Sequence, residues 1–366
     1  MARIELQGVT KVFNRTVEAV KELNMVIDDK KVVCLLGPSG CGKTTTMRII
    51  AGLEEPTRGR VLFDGEDVTP LRASERDVAM VFQFPTVYPH LSLYENLALP
   101  LWGKGLDSAT IRKRVELVVE QLKIPGNVLQ RKASSIDPGL RQKIAIGRAI
   151  IRKPKVFLFD EPLTNLDATA RAELMGLIKH LSREVGQTFV YVTHDQSEAM
   201  SLADKIAVMK DGQLVQYDDP DTVYEFPEST FVGWFLGNPG MNFLRAKVEE
   251  EKQIYLRIGP ERFEITLPAL QYLLQKRRVS ECIVGIRPEY VLISPTREKN
   301  CSIEGLCVFV EFIGGREIFH IRIGEEIEIR AKAFPRGDIQ EGQKVFVGFP
   351  GDKIRIFSLD GIVFRD

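Results

Sequence analysis

One glycine-rich segment, GPSGCGKTT at positions 37–45, carries the residues with the clearest chemical meaning. It follows the apolar run KVVCLL (31–36) and precedes a helical pattern, so it satisfies G-x-x-x-x-G-K-[ST] between a strand and a helix. Its glycines allow successive backbone N–H groups to turn inward, and the next helix adds the positive potential of its N-terminal end. The segment therefore predicts a phosphate-binding loop. Its predicted contacts are Gly37, Pro38, Ser39, Gly40, Cys41, Gly42, Lys43, Thr44 and Thr45.

The polar side chains of this loop have separate predicted roles. Lys43 should reach the β- and γ-phosphates of a nucleotide, and the hydroxyl of Thr44 should bind Mg²⁺. Thr45 should add a second polar contact to phosphate. Cys41 is predicted to fill space, and the alternative is a reactive thiol whose pKa is lowered by the helix N-terminus.

A second group of candidate residues follows two other apolar runs. VFLFD (156–160) ends in Asp160 and is followed by Glu161, and TFVYVT (188–193) is followed by His194. Because the carboxyl ends of parallel strands meet at one edge of a sheet, these side chains should lie near the loop. Asp160 should hold Mg²⁺ through water, Glu161 should orient and polarise an attacking water, and His194 should point at the γ-phosphate. Together with the loop, they predict nucleotide hydrolysis.

The elements that position these residues follow an α/β pattern over positions 1–236, where short β-branched runs alternate with helix-length segments. Helices are predicted over 46–53 and from about Ala168 to Val185. Residues 111–122 repeat apolar side chains at helical spacing, which indicates an amphipathic helix in an inserted helical segment of about 84–150. The first domain is therefore predicted to contain a largely parallel sheet with an inserted helical part.

From 237 onward the pattern changes to short strand-like runs separated by glycine, proline or charged turns. This pattern predicts an antiparallel barrel over 237–366, or two joined modules. The domain boundary is placed at 236/237, in a Gly/Asn/Pro cluster.

Composition excludes several classes of protein. The 366 residues contain 50 basic and 50 acidic side chains, so the chain has no electrostatic footprint of a nucleic-acid-binding protein. Its five cysteines follow no C-x-x-C spacing, which argues against a disulfide framework and a zinc site and favours a reducing compartment. No apolar run approaches the roughly 18 to 20 residues of a membrane helix. The sequence predicts neither an export signal nor a membrane span.

With these elements in this order, the chain resembles the ATP-binding cassette family, and within it the ATPase subunits of carbohydrate importers. GPSGCGKTT corresponds to the Walker A loop, VFLFDEP (156–162) to Walker B and VTHD (192–195) to the H-loop. GNPGMNF, GIRPEY and IRIFSLDG resemble the accessory barrel of the sugar-importer group. The resemblance covers essentially the whole chain. It implies an α/β P-loop ATPase domain with an inserted helical subdomain, followed by an all-β, OB-like (TOBE-type) accessory domain.

The resemblance also assigns residues that are unremarkable alone. Phe13 matches the aromatic side chain that stacks on adenine. Gln83 matches the Q-loop glutamine, with a place at the metal and in catalysis. Asp167, in TNLDA (164–168), belongs to the D-loop. Residues 84–101 match the stretch that receives the coupling helix of a membrane partner.

One segment departs from the family pattern. The five positions that should read LSGGQ are Ile136, Asp137, Pro138, Gly139 and Leu140. In the family this signature covers the γ-phosphate held by the opposing subunit of a head-to-tail dimer. A serine hydroxyl and glycine N–H groups donate to phosphate there, whereas Asp137 carries a like charge and Pro138 lacks an N–H. A nucleotide facing this segment should be poorly held.

The resemblance implies an importer ATPase that uses ATP and Mg²⁺, peripheral at the cytoplasmic face of the membrane, for a sugar, polyol or glycerol-derived solute. Its implied partners are two integral membrane permease subunits and, indirectly, an extracytoplasmic substrate-binding protein, with no nucleic acid. The altered signature favours pairing with a second ATPase. A homodimer that uses the backbone of Gly139 and the dipole of the following helix stays open.

Three other functions remain as alternatives. Import of a polyamine, metal or anion is compatible with the same motifs. A regulatory subunit that binds ATP with little hydrolysis would explain the altered signature but not the intact Glu161. A nucleic-acid-linked ATPase would need a basic tract or base-stacking aromatic side chains, and neither is present in the sequence.

Overall fold

The computed structural model describes residues 2–184, 186–250, 254–258, 261–264, 274, 276, 279–325 and 327–364. The chain forms two compact units, Met1–Pro220 and Asp221–Asp366. Residues 221–236 therefore belong to the second unit, and the domain boundary at 236/237 stays a prediction. Among the described residues, no helix combines the length and the apolar character needed to cross a membrane.

The first unit contains a mixed sheet, an antiparallel sheet and the helices that flank them. Its strands are β1 (Ile4–Phe13), β2 (Val17–Ile27), β3 (Val32–Leu36), β4 (Arg58–Phe63), β5 (Glu66–Asp67), β6 (Val78–Val81), β7 (Val156–Asp160), β8 (Thr188–Thr193), β9 (Lys205–Lys210) and β10 (Gln213–Asp218). Its helices are α1 (Lys43–Ala51), α2 (Leu93–Ala98), α3 (Ser108–Gln121), α4 (Pro138–Ile150), α5 (Ala168–Glu184) and α6 (Gln196–Leu202).

The mixed sheet has the strand order β10-β9-β3-β8-β7-β6, and its pairings are parallel except that of β9 with β10. Every residue of β3, β7 and β8 is buried, as expected of parallel strands covered on both faces. The other sheet, β2-β1-β4-β5, is antiparallel. Helix α1 joins both sheets in one core, in which its Met47 and Ile50 are fully buried.

The predicted strands 156–160 and 188–193 are confirmed, and the helix predicted from Ala168 is confirmed up to Glu184. Val185 lies outside the described residues. The helix predicted over 46–53 is shifted, because it begins at Lys43 and ends at Ala51. It begins early since the last residues of the phosphate loop form its first turn. It ends early because Gly52 takes a left-handed cap conformation with φ 73°.

The second unit is built from strands that pair antiparallel in two sheets, which confirms an all-β region. Short helices α7 (Pro220–Glu225) and α8 (Thr230–Phe235) precede them. The strands are β11 (Asn242–Glu250), β12 (Ile254–Ile258), β13 (Glu261–Glu264), β14 (Glu281–Ile286), β15 (Leu292–Ser294), β16 (Ile303–Ile313), β17 (Arg316–Ile323), β18 (Ile327–Ala333), β19 (Lys344–Gly348) and β20 (Arg355–Phe357). The orders are β13-β12-β11-β14-β20 and β15-β19-β16-β17-β18. Apolar side chains of both sheets share one core.

A buried arginine after β14 holds the α7–α8 segment to this unit. Arg287 is only 1% exposed. Its guanidinium donates to the carbonyl oxygens of Gly233 at 3.0 Å, Tyr224 at 2.5 Å and Leu236. It also lies 3.8 Å from the centroid of the Tyr224 ring. These carbonyls need a buried donor, which explains why residues 224–236 pack with the second unit.

We expect Arg287→Met to lower the free energy of unfolding by about 2–4 kcal/mol, because the methionine fills much of the space but removes the buried donor of the Tyr224 and Leu236 carbonyls. Urea denaturation measures this. Arg322→Met is the matched control, since Arg322 is exposed and makes an ion pair with Glu328 at 3.4 Å. Its effect should stay within about 0.5 kcal/mol. Equal losses for the two variants would contradict the assigned role of Arg287.

Candidate functional site

The glycine-rich loop curls tightly between β3 and α1. Gly42 has φ 100°, and a Cβ atom there would lie 2.3 Å from the carbonyl oxygen of Ala19. A Cβ at Gly37 would lie 2.2 Å from the carbonyl oxygen of Met209. Neither position has room for a side chain, so the glycine spacing of the motif follows from backbone packing as well as from its predicted phosphate contacts.

Lys43 places its charge inside this curl. Its Nζ donates to the carbonyl oxygens of Gly37 at 2.8 Å and Pro38 at 2.9 Å. The residue is 5% exposed, so the ammonium group is largely removed from water. The loop therefore concentrates a cation, inward-turning backbone and a helix N-terminus at one point, which suits an anion.

The first turn of α1 meets the end of β7. Thr44 Oγ1 donates to Asp160 Oδ1 at 3.0 Å. Burial raises the pKa of the Asp160 carboxyl, and the hydrogen bond from Thr44 opposes that rise. The hydroxyl and the carboxylate are oxygen ligands of the kind that Mg²⁺ takes. No cluster of three or more His, Cys, Asp or Glu side chains that could hold a metal occurs among the described residues. The two oxygens fit a cation that keeps waters and is shared with substrate phosphates.

Glu161 and His194 come together at the same edge of the sheet. His194 Nδ1 lies 3.1 Å from Glu161 Oε2. Thr164 Oγ1 also approaches that oxygen, at 3.3 Å. The backbone of Glu161 is left-handed, with φ 46°, and its N–H donates to the carbonyl oxygen of Val192 at 3.0 Å. A glutamate in this conformation costs about 1–2 kcal/mol, and such strain is concentrated at functional sites.

The segments that carry Gln83 and Asp167 are in contact. Gln83 follows β6, which pairs with β7, so it lies at the carboxyl edge of the sheet. Asn165 Nδ2 donates to the carbonyl oxygen of Gln83 at 3.4 Å. Asp167 accepts from the N–H groups of Thr169 and Ala170, each at 3.0 Å, at the start of α5. The segment 164–168 thus connects β7 to a capped helix beside Gln83.

Phe13 lies in the antiparallel sheet, at the end of β1. The Nζ atom of Lys11 lies 5.0 Å from the centroid of its ring. That ammonium is itself held by the carbonyl oxygen of Glu55 at 2.7 Å and by Glu54 at 2.5 Å. The Lys11 ammonium is therefore held beside the Phe13 ring. Thr45, the last residue of the loop motif, lies half-buried on α1.

The altered signature forms a well-capped helix start. Asp137 is the N-cap of α4, and its Oδ1 accepts from the N–H of Leu140 at 2.8 Å. Pro138 occupies the first helical position, where its missing N–H is not needed for the helix. Ile136 is buried, Asp137 and Pro138 are exposed, and Gly139 is half-buried. The D-P pair before an apolar helix is a capping signal that sequence reasoning did not use.

Sequence reasoning also missed Glu198, which is 5% exposed on α6. It accepts hydrogen bonds from Tyr191 and Thr193, the strand residues just before His194. Burial raises the pKa of this carboxyl. The only sequence signal was its place as the fourth residue after His194.

The structure does not support the lowered thiol pKa on which the alternative of a reactive Cys41 depends. Burial raises the pKa of its thiol, and the charge of Lys43 opposes this only in part. All five cysteines are free and buried. Burial likewise raises the pKa of Cys34 and brings that of Cys282 to about 12.

We therefore expect all five native thiols to react with iodoacetamide at pH 8 at least about 100-fold more slowly than in the urea-unfolded chain, since only the thiolate attacks. A raised pKa leaves less thiolate at this pH than a free cysteine has. Intact-mass measurement over time checks this, with the unfolded chain as the control. Rapid labelling of Cys41 in the folded chain would contradict the prediction.

Comparison with protein-family models matches three regions of the chain. Residues 20–164 match the ABC transporter family, residues 237–291 the MalK OB fold domain and residues 284–357 the TOBE domain. Among solved structures, the dimeric post-hydrolysis state of the ATP-binding cassette MJ0796 bound to ADP and Pi is similar, with TM-score 0.54 and 31% identity. That similarity covers 59% of this chain and 98% of the other.

Characterised relatives match over most of the chain. The trehalose/maltose import ATP-binding protein MalK of Thermococcus litoralis is 42% identical over 98% of both chains. The oligosaccharides import ATP-binding protein MsmX of Bacillus subtilis is 39% identical, again over 98% of both. The sn-glycerol-3-phosphate import ATP-binding protein UgpC of Vibrio vulnificus is 40% identical over 88% of this chain and 84% of its own. Because likeness of this extent spans the cassette and the β region alike, the chain belongs to the ATP-binding ATPase subunits of ABC transporters, in the group that carries MalK-type OB fold and TOBE domains.

Proposed function

We propose that the chain is the ATP-hydrolysing subunit of an importer for a sugar, polyol or glycerol-derived solute. The observation that carries the hydrolytic part is the contact of Glu161 with His194 at 3.1 Å, beside Thr44 and Asp160 at 3.0 Å. The solute class is supported by relatives whose names specify trehalose/maltose, oligosaccharides and sn-glycerol-3-phosphate. In this proposal the subunit is peripheral, at the cytoplasmic face of the membrane.

In the proposed reaction, water attacks the γ-phosphorus of ATP, and ADP and phosphate leave. The loop 37–45 and the Lys43 ammonium hold the phosphates, and Phe13 stacks on the base. Thr44, Asp160 and Gln83 would hold Mg²⁺, which when bound neutralises charge on the phosphate oxygens. Glu161 accepts a hydrogen bond from the attacking water and so orients it. His194 fixes the carboxylate of Glu161 and faces the γ-phosphate.

The proposed membrane partners are two integral permease subunits, and a substrate-binding protein acts through them. A groove of about 430 Å³ lies between the helical insert and the sheet, within the first unit. Its lining includes Tyr88, Leu99 and Arg148. The Arg148 guanidinium donates to the carbonyl oxygen of Thr86 and lies 4.8 Å from the centroid of the Tyr88 ring. Thr86, Tyr88, Leu99 and Pro100 of the stretch 84–101 contribute to this lining, which supports the assignment of that stretch as the receiving surface for a permease helix.

We also propose that the chain pairs with a second ATPase that carries an ordinary signature. The Asp137 carboxylate is held at the N-terminus of α4 by the Leu140 N–H. It therefore occupies one N–H group at the start of α4, and its negative charge opposes the helix dipole that the homodimer alternative would use. A nucleotide site that this segment covers would be weak, whereas this chain's own loop, Glu161 and His194 would be completed by the partner.

In the assembled transporter, Glu161→Gln should lower kcat for ATP hydrolysis by about 100-fold or more, with ATP affinity changed less than about twofold, because the carboxylate acts on the attacking water. Phosphate release and nucleotide-binding assays measure the two quantities. Glu184→Gln is the matched control, since Glu184 makes a similar contact with His180 at 3.0 Å on the exposed end of α5. Unchanged kcat in Glu161→Gln would favour the regulatory-subunit alternative.

The pairing proposal predicts a difference in ATP-dependent self-association. In a Glu161→Gln background, which preserves bound ATP, the chain alone should stay monomeric, whereas adding Asp137→Ser and Pro138→Gly should produce an ATP-dependent dimer. Serine keeps the helix cap and removes the charge. Analytical ultracentrifugation measures the mass.

The control for the dimer experiment is Asp107→Ser, the same N-cap change on α3, where Asp107 accepts from the N–H of Thr110 at 2.8 Å. This variant should leave the chain monomeric. A stable ATP-dependent dimer of the Glu161→Gln chain with its natural signature would contradict the pairing proposal and support the homodimer.

A further inference from the structure

We propose that Glu198 is a positioning residue for hydrolysis, because it fixes the backbone on both sides of His194 and so sets the approach of the imidazole to Glu161. This inference rests on the proposed ATPase function.

Glu198 lies on the first turn of α6 with its carboxyl group buried against β8. Its Oε2 accepts from Thr193 Oγ1 at 2.8 Å and from the Tyr191 hydroxyl at 2.9 Å. Thr193 is 2% exposed and Tyr191 1% exposed, so water does not compete for these hydrogen bonds. The carboxyl group therefore anchors the end of the strand that carries His194.

The Thr193 hydroxyl also holds the residue on the other side of His194. Its Oγ1 accepts from the backbone N–H of Asp195 at 2.9 Å. A hydroxyl can donate one hydrogen bond, and here the Glu198 carboxyl group accepts it. The lone pairs of the Thr193 hydroxyl are consequently turned toward the N–H of Asp195. The two hydrogen bonds, one between Thr193 and Glu198 and one between Asp195 and Thr193, therefore connect the residues on either side of His194.

Asp195 is held a second time by its own side chain. Its Oδ1 accepts from the N–H groups of Ser197 at 2.7 Å and Glu198 at 3.2 Å, as the N-cap of α6. Its Oδ2 lies 3.8 Å from Arg171 NH1 on α5. The residues before and after His194 are thus tied to β8, α6 and α5.

His194 needs this support because its own side chain is poorly packed. It is 51% exposed, whereas its partner Glu161 is 20% exposed. Because few packing contacts hold the ring, the position from which it reaches Glu161 is set mainly by the backbone that carries it. An apolar residue at 198 would avoid the cost of burying a carboxyl group. It could not, however, accept the hydrogen bond from Thr193 that turns the hydroxyl lone pairs toward Asp195.

The test compares three substitutions of the residues that Glu198 contacts. Thr193→Val keeps the shape and removes the link to Asp195, so kcat for ATP hydrolysis should fall at least about tenfold with ATP affinity changed less than about twofold. Thr193→Ser restores the hydroxyl and should keep kcat within about threefold of the natural chain. Tyr191→Phe is the matched control, because it removes the other hydrogen bond to the same oxygen without touching Asp195.

Two results in this assay would overturn the inference. One is a kcat of Thr193→Val equal to that of the natural chain. The other is that Tyr191→Phe loses as much kcat as Thr193→Val and that both losses follow the fall in melting temperature. That result would show that these hydrogen bonds serve stability alone.

A second readout does not depend on turnover. The chain has four histidines, so a ¹⁵N-histidine-labelled sample gives few signals to assign. Thr193→Val should move the Nδ1 signal of His194 toward its position in Glu161→Gln, whereas Thr193→Ser and Tyr191→Phe should leave it in place. The His180 signal is the internal control. An unmoved His194 signal in Thr193→Val would refute the positioning role. Absence of ATP hydrolysis by the natural transporter would refute the proposed function, and the spectra would still decide the positioning.

Discussion

The geometry of the site depends on the parallel hydrogen bonding of β3, β8 and β7. In this register Leu36 lies beside Thr193, and Asp160 lies beside Val192. The carboxyl ends of the three strands therefore meet at one edge, where the phosphate loop, the two carboxylates and the histidine follow them. A one-residue slip would turn alternate side chains to the other face and separate these groups.

The charged groups of the site each have a hydrogen-bond partner. Lys43 is held by loop carbonyls, Asp160 by Thr44 and Glu161 by His194. Groups buried to this degree need partners, because an unpaired charge away from water is costly. In the proposed function, the nucleotide phosphates and the cation use the same donors and acceptors.

In the proposed function, a local preference and a functional requirement oppose each other at Asp137 and Pro138. Asp137 and Pro138 make a favourable helix start, since one caps the helix and the other needs no donor there. The same two residues reduce what the N-terminus of α4 can offer to a phosphate. The consequence for function depends on which surface faces α4, and hence on the partner subunit.

Motif spacing and continuous apolar runs are local patterns, so the linear sequence was sufficient to predict the loop, the strands 156–160 and 188–193, and the candidates Asp160, Glu161 and His194. The folded chain was needed to show that α1 begins at Lys43, that Asp137 caps its own helix and that Glu198 contacts the strand before His194. It also placed Arg287 beneath residues 224–236. Each of these depends on a side chain meeting a group on another element or on a choice between competing hydrogen-bond partners. A linear pattern does not encode that choice, because it depends on which hydrogen-bond partners lie close enough once the core has packed.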